Sequence, residues 1–413
     1  MIAYGDVLVV IGWREFSYVE EDSVRNHAVP LIALGYRAIS TFPFPTNSGG
    51  VLVEIQLHTV TPIWTGGVER QQMTRIQESS IIGSLRWWYE VIVRGLGGHA
   101  CDPTQHQCPR GDGSYCDVCQ IFGATGWRRR FRLEVLEESK RFIFGGSSVF
   151  IPSGRTHTDK KGRERKGGWF LLPGKMGTFK LRIDGDEKTL GVLASLLLFL
   201  EKWGSLGAKP QLGYGLFKID EESRPRVNRL AEAYQWQARG TGSVRNDLPD
   251  LRQFGFFCYQ FEPAKDEKGD WWKKASGMKG KQNEVDCLIK QYNLAPISPD
   301  MRNQWRFFNW DRAWGDERLF FGKVQRNHNV RSKVAVSWAY RRGSAWEIRG
   351  YADLRRLQQP DQVWKMLRDT GIWEDVTGTP GTLKTFPMGD WQEPHSIEDV
   401  IQFLGGAPCW SMP

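Results

Sequence analysis

The feature that most constrains this chain of 413 residues is the order of its strand and helix patterns between residues 51 and 219. Apolar and polar residues alternate at 53–57, 131–135 and 179–183, which predicts three strands, and the mostly apolar segment 216–219 after a glycine-rich stretch predicts a fourth. A helix pattern follows the first strand, and a second helix pattern follows the third. The resulting order, β-α-β-β-α-β, predicts a ferredoxin-like fold with inserts after the first helix and between the middle strands.

The two predicted helices differ in how they bury their surface. The first carries one apolar face made of Ile81, Leu85, Trp88, Ile92 and Leu96. Ser79 and Ser80 are candidate N-caps for it, and glycines after Arg94 are expected to end it. The second helix, at 190–203, is apolar nearly all round and is therefore expected to be buried.

The remainder of the chain suggests a second, degenerate copy of this pattern that begins at Phe254. We predict an α+β protein with two ferredoxin-like (RRM-like) domains and inserted loops, the N-terminal domain carrying a cysteine-rich insert. The predicted boundaries are a poorly ordered N-terminal extension at 1–50, an N-terminal domain at 51–220, a linker at 221–252 and a C-terminal domain at 253–413. The glycine- and proline-rich tail after residue 370 has no clear pattern.

Four of the seven cysteines lie within 19 residues, in the pattern C-x6-C-x7-C-x2-C formed by Cys101, Cys108, Cys116 and Cys119. Zinc prefers four soft ligands in tetrahedral geometry, and a C-x2-C pair supplies two of them from one turn. The spacing predicts a structural zinc site, with His99 and His106 as replacement ligands. Free thiols and a redox pair at Cys116 and Cys119 are the alternatives, although a redox pair normally opens a helix in a thioredoxin-like unit.

The cysteine count, the lack of long apolar runs and the net charge indicate where the protein is found and which kinds of molecule it can bind. An odd number of cysteines with one cluster does not indicate a secreted disulfide framework, and we see no signal peptide and no apolar run of about 20 residues. We therefore expect a cytoplasmic protein without a membrane span. The formal charge is +9, and the segments 128–166 and 323–356 each carry a net +7. Basic segments near aromatic residues, in a chain with 19 tryptophans, favour nucleic-acid binding, although solvated charge and buried tryptophans would account for the same composition.

A glycine-rich stretch, WGSLGAKPQLGYG, occupies residues 203–215. Glycines allow a backbone to approach a ligand closely and leave N–H groups available for phosphate, and Lys209 adds charge. The stretch lacks the G-K-[ST] of a P-loop and precedes a strand. An ordinary connection between a helix and a strand would explain it equally well.

Four motifs, in this order, resemble the RAMP superfamily of CRISPR proteins: VTPIWTGG, ESSIIGSLRWWYEVIVRGLGG, CDVCQIFGATGWRRRFRL and WGSLGAKPQLGYG. More narrowly, they are similar to the first-numbered subunit of the Cmr (type III-B) effector complex. The resemblance covers about residues 51–220 and, more loosely, 318–350. It implies paired ferredoxin-like domains that assemble with other Cmr subunits, with guide (CRISPR) RNA near its 3′ end and with target RNA, in antiviral defence.

The resemblance also sets what we expect of catalysis. RNA-cleaving backbone subunits of such complexes place an aspartate in a loop near the first helix, and no aspartate lies between Thr61 and Gly98 here. We therefore expect no enzymatic activity. The alternative is a metal-independent ribonuclease that processes guide RNA, with His58 as general base, although the sequence shows no obvious Lys or Tyr partner for it. A zinc-knuckle scaffold without RNA contact is a third interpretation.

The predicted RNA contacts fall on four segments. They are Arg86, Trp87 and Arg94 on the free face of the first helix, Arg128, Arg129 and Arg130 after the cysteines, Gly204, Gly207, Lys209, Gly213 and Gly215 in the glycine-rich stretch, and Arg326, His328, Arg331 and Lys333 in the second half.

Overall fold

The structure is a computed structural model. It describes residues 2–4, 7–9, 50–67, 72–105, 108–137, 141–158, 162–264, 270–275, 282–323, 330–387, 391 and 394–405. Residues 1–50 and 51–413 form separate units. In the first unit, β1 (Ile2–Tyr4) pairs antiparallel with β2 (Val7–Val9). Most of the segment predicted to be a poorly ordered extension lies outside the described residues.

The first half of the second unit is built on one antiparallel sheet. The strands of this half are β3 (Val51–Thr59), β4 (Phe131–Glu137), β5 (Arg141–Phe142), β6 (Val149–Thr158), β7 (Glu164–Leu171), β8 (Lys175–Met176), β9 (Thr178–Gly185) and β10 (Phe217–Ile219). Four of them form the sheet in the order β10-β3-β9-β4, whereas β5 pairs with β8 and β6 pairs with β7. Counted within the repeat this is 4-1-3-2 with antiparallel neighbours, which is the ferredoxin-like arrangement. Residues with buried side chains, such as Ile55 and Leu181, lie opposite each other in the register.

Helices cover one side of this sheet. They are α1 (Glu78–Gly95), α2 (Asp117–Phe122), α3 (Glu187–Trp203) and α4 (Arg224–Glu232). The predicted apolar face of α1 is buried, and so is nearly all of α3. The expected serine caps are wrong: α1 begins at Glu78 after Gln77, and the Ser80 hydroxyl donates to the Thr65 carbonyl instead. The segment predicted as a linker contains α4, which packs on α3.

The basic, glycine-containing sequence at 152–168 favours a loop, but this segment forms parts of two strands instead. Strands β6 and β7 form an antiparallel hairpin inserted between the second and third strands of the repeat. Ile151 and Leu171 bury one side of its base, whereas Phe170 is 59% exposed on the other. Burial alternates along the strands at the base of this hairpin. The charged residues toward its tip hide the strand pattern in the sequence.

The second half repeats the same topology. Its strands are β11 (Phe254–Phe261), β12 (Leu294–Ala295), β13 (Val334–Val336), β14 (Ala339–Arg342), β15 (Ala345–Asp353) and β16 (Gly381–Phe386). Its helices are α5 (Gln282–Tyr292), α6 (Ser298–Asn303), α7 (Glu317–Phe321), α8 (Pro360–Arg368), α9 (Thr370–Thr377) and α10 (Ile397–Leu404). The order β14-β15-β11-β16 is again 2-3-1-4, with β13 also paired to β15 and β12 added beyond β14. The predicted fold class is confirmed.

Tryptophan builds much of the core of both halves. Seven tryptophan side chains are essentially fully buried: Trp88, Trp271, Trp272, Trp305, Trp338, Trp364 and Trp373. Trp88 of α1 packs edge-on against Tyr351 of β15, with 4.9 Å between ring centroids, and so joins the two halves. These side chains are therefore core residues and not platforms for nucleic-acid bases. Within the part of the chain that the structure describes, no helix has the length and apolar character needed to cross a membrane.

Candidate metal centre and nucleic-acid interface

The four clustered cysteines converge at the end of α1. Cys116 is the N-cap of α2, and its sulfur accepts a hydrogen bond from the Cys119 backbone N–H. A tight turn therefore presents both sulfurs of the C-x2-C pair. The Sγ atoms of all four cysteines lie within 4.8 Å of one another, and all four residues are buried.

This arrangement fits a tetrahedral metal. Metal–sulfur bonds of about 2.3 Å in a tetrahedron place sulfurs about 3.8 Å apart. The Sγ atoms of Cys101 and Cys119 are 3.5 Å apart, close to that value. The four cysteines can therefore hold a metal ion, as the spacing predicted. His99 is exposed and is not part of this group, and His106 lies outside the described residues.

The thiols also influence one another. The hydrogen bond from the Cys119 thiol lowers the pKa of Cys116 to about 3, and the same bond raises the pKa of Cys119. Burial raises the pKa of Cys101 to about 12. These opposite shifts arise because the thiols are hydrogen-bonded to one another.

The side chains predicted on a free face of α1 are instead engaged with the protein. Arg94 is 4% exposed and donates to the carbonyls of Ala100, Cys101 and Pro249. Arg86 is half-buried and bonded within the cysteine loop. Trp87 packs against Trp88 and, in the second half, Phe254. The expectation of a free face is wrong because the second half and the cysteine loop both pack against this helix.

An exposed surface next to the cysteines does combine charge with aromatic rings. Arg128, Arg129 and Arg130 are exposed immediately before β4. Beside them Trp127, 38% exposed, lies over Tyr115 with 5.1 Å between ring centroids. We call these five residues the arginine–aromatic patch. It holds the predicted arginines, and its two rings were not predicted, although both adjoin the cysteine motif.

The predicted glycines of residues 203–215 serve packing. Three of the four are buried and Gly207 is half-buried, with its N–H bonded to Ser84 of α1. A Cβ on Gly213 would lie 2.3 Å from Cδ1 of Trp338, and one on Gly215 would lie 2.1 Å from the Leu206 carbonyl oxygen. Protein atoms occupy the space on the Cβ side of these glycines, so their predicted contact with RNA stays a prediction. Lys209, half-buried, has its pKa lowered by burial.

The four RNA contacts predicted in the second half differ in whether the structure describes them and in how exposed they are. Arg326 and His328 lie outside the described residues. Arg331 is exposed, whereas Lys333 is largely buried and donates to the Arg355 carbonyl. Burial lowers the pKa of Lys333 to about 8. Arg331 alone of the described pair is placed to meet a ligand from solvent.

His58 of β3 has partners that sequence reasoning missed. Its Nε2 is 2.5 Å from the Asp220 carboxylate, and its Nδ1 is 2.9 Å from the Thr178 hydroxyl. The histidine lowers the pKa of Asp220 through this hydrogen bond. Lys218 of β10 lies opposite His58 in the register. Strand pairing brings these residues together across more than 100 positions, so only a correct register would have revealed them.

Comparison with known proteins finds one family model that resembles the N-terminal half. Residues 56–218 match the model of the RAMP superfamily. No curated protein sequence matches the chain significantly.

Solved structures are similar at low identity. Cmr1 from Pyrococcus furiosus, in its apo form, is 16% identical over 81% of this chain and 98% of its own, with a TM-score of 0.38. A chain of a type III-B Cmr-beta complex bound to cognate target RNA is 12% identical over 80% of this chain and 99% of its own, with a TM-score of 0.40. Cmr6 from Pyrococcus furiosus is 16% identical over 42% of this chain and 99% of its own, with a TM-score of 0.24.

At these identities and TM-scores, the assignment depends on the family match. That match spans the cysteine loop, the arginine–aromatic patch and the glycine-rich stretch. Residues 56–218 of this chain are therefore similar to the RAMP superfamily, the family that their four motifs indicated.

Proposed function

We propose that the chain is a non-catalytic RNA-binding subunit of a type III-B CRISPR (Cmr) interference complex. It would bind guide RNA near its 3′ end and target RNA, beside other Cmr subunits, in the cytoplasm. The RAMP domain and the resemblance of its four motifs support the assignment to the complex. The arginine–aromatic patch is the observation that supports RNA binding.

The patch has the two properties that sequence-tolerant binding of single-stranded RNA requires. Three adjacent guanidinium groups attract phosphates, and each occupied phosphate contact releases counterions. The neighbouring rings of Trp127 and Tyr115 offer an exposed surface on which a base can stack. The patch also adjoins the cysteine loop, which gives it a fixed position on the domain.

Replacing Arg128, Arg129 and Arg130 together with alanine is expected to weaken RNA binding at least roughly tenfold in 0.1 M salt. The slope of log affinity against log salt should also fall by about 2, since each lost phosphate contact on a single strand contributes about 0.7. Filter binding of the full chain to a labelled single-stranded RNA at several salt concentrations measures both quantities.

A matched control removes the same charge elsewhere. Arg312, Arg318 and Lys365 are exposed in the second half, and their joint replacement with alanine lowers the net charge by the same amount. We expect this variant to lose little affinity. Equal losses in the two variants would show that binding follows total charge and would contradict a role for the patch.

We further propose that the four cysteines hold a structural zinc ion. Four buried sulfurs within tetrahedral reach leave no position for a substrate, which distinguishes a structural site from a catalytic one. When bound, zinc would replace the protons of the thiols and fasten the turn before α2 to the end of α1. Cys116 does open the helix α2, but among the described residues no strand leads directly into that helix, as a thioredoxin-like redox unit would need.

The second candidate function, a guide-RNA-processing ribonuclease, is favoured by one observation, the Asp220–His58–Thr178 cluster. A carboxylate that orients an imidazole is typical of general-base catalysis. However, both ring nitrogens of His58 already have partners. A substrate hydroxyl would have to displace Thr178 before His58 could accept its proton.

The full chain is therefore expected to leave labelled RNA intact in the presence of EDTA, and His58→Ala is expected to bind RNA as well as the wild type does. Denaturing gels and filter binding check the two statements. His99→Ala is a suitable control because His99 is exposed. Cleavage that disappears in His58→Ala but persists in His99→Ala would contradict the non-catalytic assignment and establish the ribonuclease.

A further inference from the structure

Three charged residues of α1 form a row that faces the cysteine loop. Arg86, Glu90 and Arg94 are spaced by four residues and therefore lie along one side of the helix. Arg86 Nε is 3.0 Å from Glu90 Oε1, and Arg94 Nη2 is 3.7 Å from Glu90 Oε2. Glu90 and Arg94 are buried and Arg86 is half-buried. The glutamate thus joins two cations that both donate to the loop, and Arg94 also donates to the Pro249 carbonyl outside it.

The two arginines hold opposite ends of the loop. Arg94 donates to the carbonyls of Ala100 and Cys101, where the chain enters the loop. Arg86 Nη1 donates to the Gly123 carbonyl, 2.8 Å away, where the chain leaves it. The loop that carries all four sulfurs is therefore closed against α1 at both ends.

Arg86 also contacts one of the sulfurs directly. Its Nη2 donates to Sγ of Cys119 at 3.3 Å. A neutral thiol is a weak acceptor, whereas a thiolate bound to a metal is a stronger, charged one. The hydrogen bond from Arg86 to Cys119 therefore contributes most when Cys119 is a thiolate bound to a metal ion.

The net charge of Arg86, Glu90 and Arg94 also suits a role in supporting a bound metal. Four thiolates around a divalent ion carry a net charge of −2, and burying uncompensated charge is costly. Two arginines and one glutamate supply +1 next to the sulfurs. The guanidinium of Arg86 lies within hydrogen-bond distance of a ligand atom, so its contribution is the most direct of the three.

We infer that Arg86 is a positioning residue for a divalent metal held by Cys101, Cys108, Cys116 and Cys119. It orients Cys119, offsets the charge of the thiolates and fastens the metal loop to α1. This inference rests on the proposed zinc site and goes beyond it by assigning Arg86 to the metal and not to RNA. Hydrogen-bond partners of metal ligands typically contribute 10- to 100-fold to metal affinity.

The test compares Zn²⁺ affinity in the full chain and two variants, by competition with a chromogenic chelator. Arg86→Met keeps the length of the side chain and removes its charge, and its zinc affinity is expected to fall roughly 10- to 100-fold. Arg86→Lys keeps the charge and is expected to recover part of that loss. Arg75→Met is the control, because Arg75 lies in the segment before α1 and pairs with Glu78.

A second measurement separates the metal from a merely structural role. Melting temperatures are taken with one equivalent of Zn²⁺ and with chelator. If Arg86 acts through the metal, Arg86→Met reduces the stabilisation that zinc provides. If Arg86 only braces the loop through Gly123, both melting temperatures fall equally and zinc affinity is unchanged, which would overturn the inference.

The outcomes also distinguish this inference from the proposal on which it rests. A wild-type chain that binds zinc stoichiometrically, with Arg86→Met and Arg86→Lys binding it equally tightly, leaves the zinc site standing and removes Arg86 from it. A wild-type chain without measurable affinity for Zn²⁺ overturns both. If Arg86→Met fails to fold, Arg86→Lys is the deciding variant. A wild-type zinc affinity in Arg86→Lys would show that the site does not need the planar guanidinium of Arg86.

Discussion

Cys119→Ser is expected to lose its bound zinc and to melt roughly 3–5 °C below the wild type. Metal binding to a site of this kind is coupled to folding, so a lost ligand removes stability directly. A loss of about 3 kcal/mol corresponds to a shift of this size in a chain of several hundred residues. Metal analysis of protein purified without chelator and thermal melting of the same preparations measure both effects.

A matched cysteine substitution separates metal binding from a general effect of serine. Cys287 is exposed and lies outside the cluster, so Cys287→Ser is expected to retain one zinc per chain and the wild-type melting temperature. Chelator should lower the melting temperature of the wild type and of Cys287→Ser but leave that of Cys119→Ser nearly unchanged. Wild-type protein without stoichiometric zinc would favour the alternative of free thiols.

The cysteine cluster was predictable because its chemistry is local. Its four thiols lie within 19 residues, and the residue types alone restrict what they can bind. The His58 cluster is the opposite case. Thr178 and Asp220 are 120 and 162 positions from His58, and they meet it only through the pairing of β3 with β9 and β10. Residue spacing carries no signal for such a site.

The first half of the fold was predictable from its periodicity, but the second half was predictable only in part. The strand β9 alternates between buried and half-buried residues, which makes its pattern clear. The strand β16, which closes the second repeat, lies at an edge and has a single buried residue, Thr385. Without alternation, and with α9 immediately before it, this strand could not be distinguished from a loop.

The burial of Arg94 shows a further limit of sequence patterns. Polar residues off the apolar stripe of a helix are normally expected to face solvent. Here part of the remaining α1 surface is covered by the cysteine loop and by the second half, through contacts such as that of Trp87 with Phe254. The sequence pattern shows how polar each side of a helix is. It does not show that another segment packs against the polar side and accepts hydrogen bonds there through its backbone carbonyls, as happens at Arg94.

The second large effect is expected from Gly213→Ala, which should lower stability by about 3 kcal/mol or more. Two costs add at this position. Gly213 has φ +87°, a left-handed conformation that costs a residue with a Cβ about 1 kcal/mol or more. The added Cβ would also lie 2.3 Å from Cδ1 and 2.7 Å from the backbone nitrogen of Trp338. Because Trp338 is fully buried and donates from Nε1 to the Leu212 carbonyl, it cannot move aside without loss.

The appropriate control is Gly83→Ala on α1, where nothing lies within 4 Å of the added Cβ. A helical glycine without steric constraint should gain about 0.5–1 kcal/mol on replacement by alanine. Thermal melting is therefore expected to shift in opposite directions for the two variants. RNA affinity per folded molecule should remain at the wild-type value in Gly213→Ala, because the side of Gly213 where a Cβ would lie is filled by Trp338. A normal melting temperature together with weakened RNA binding would contradict this packing role and restore the glycine-rich stretch as an RNA contact.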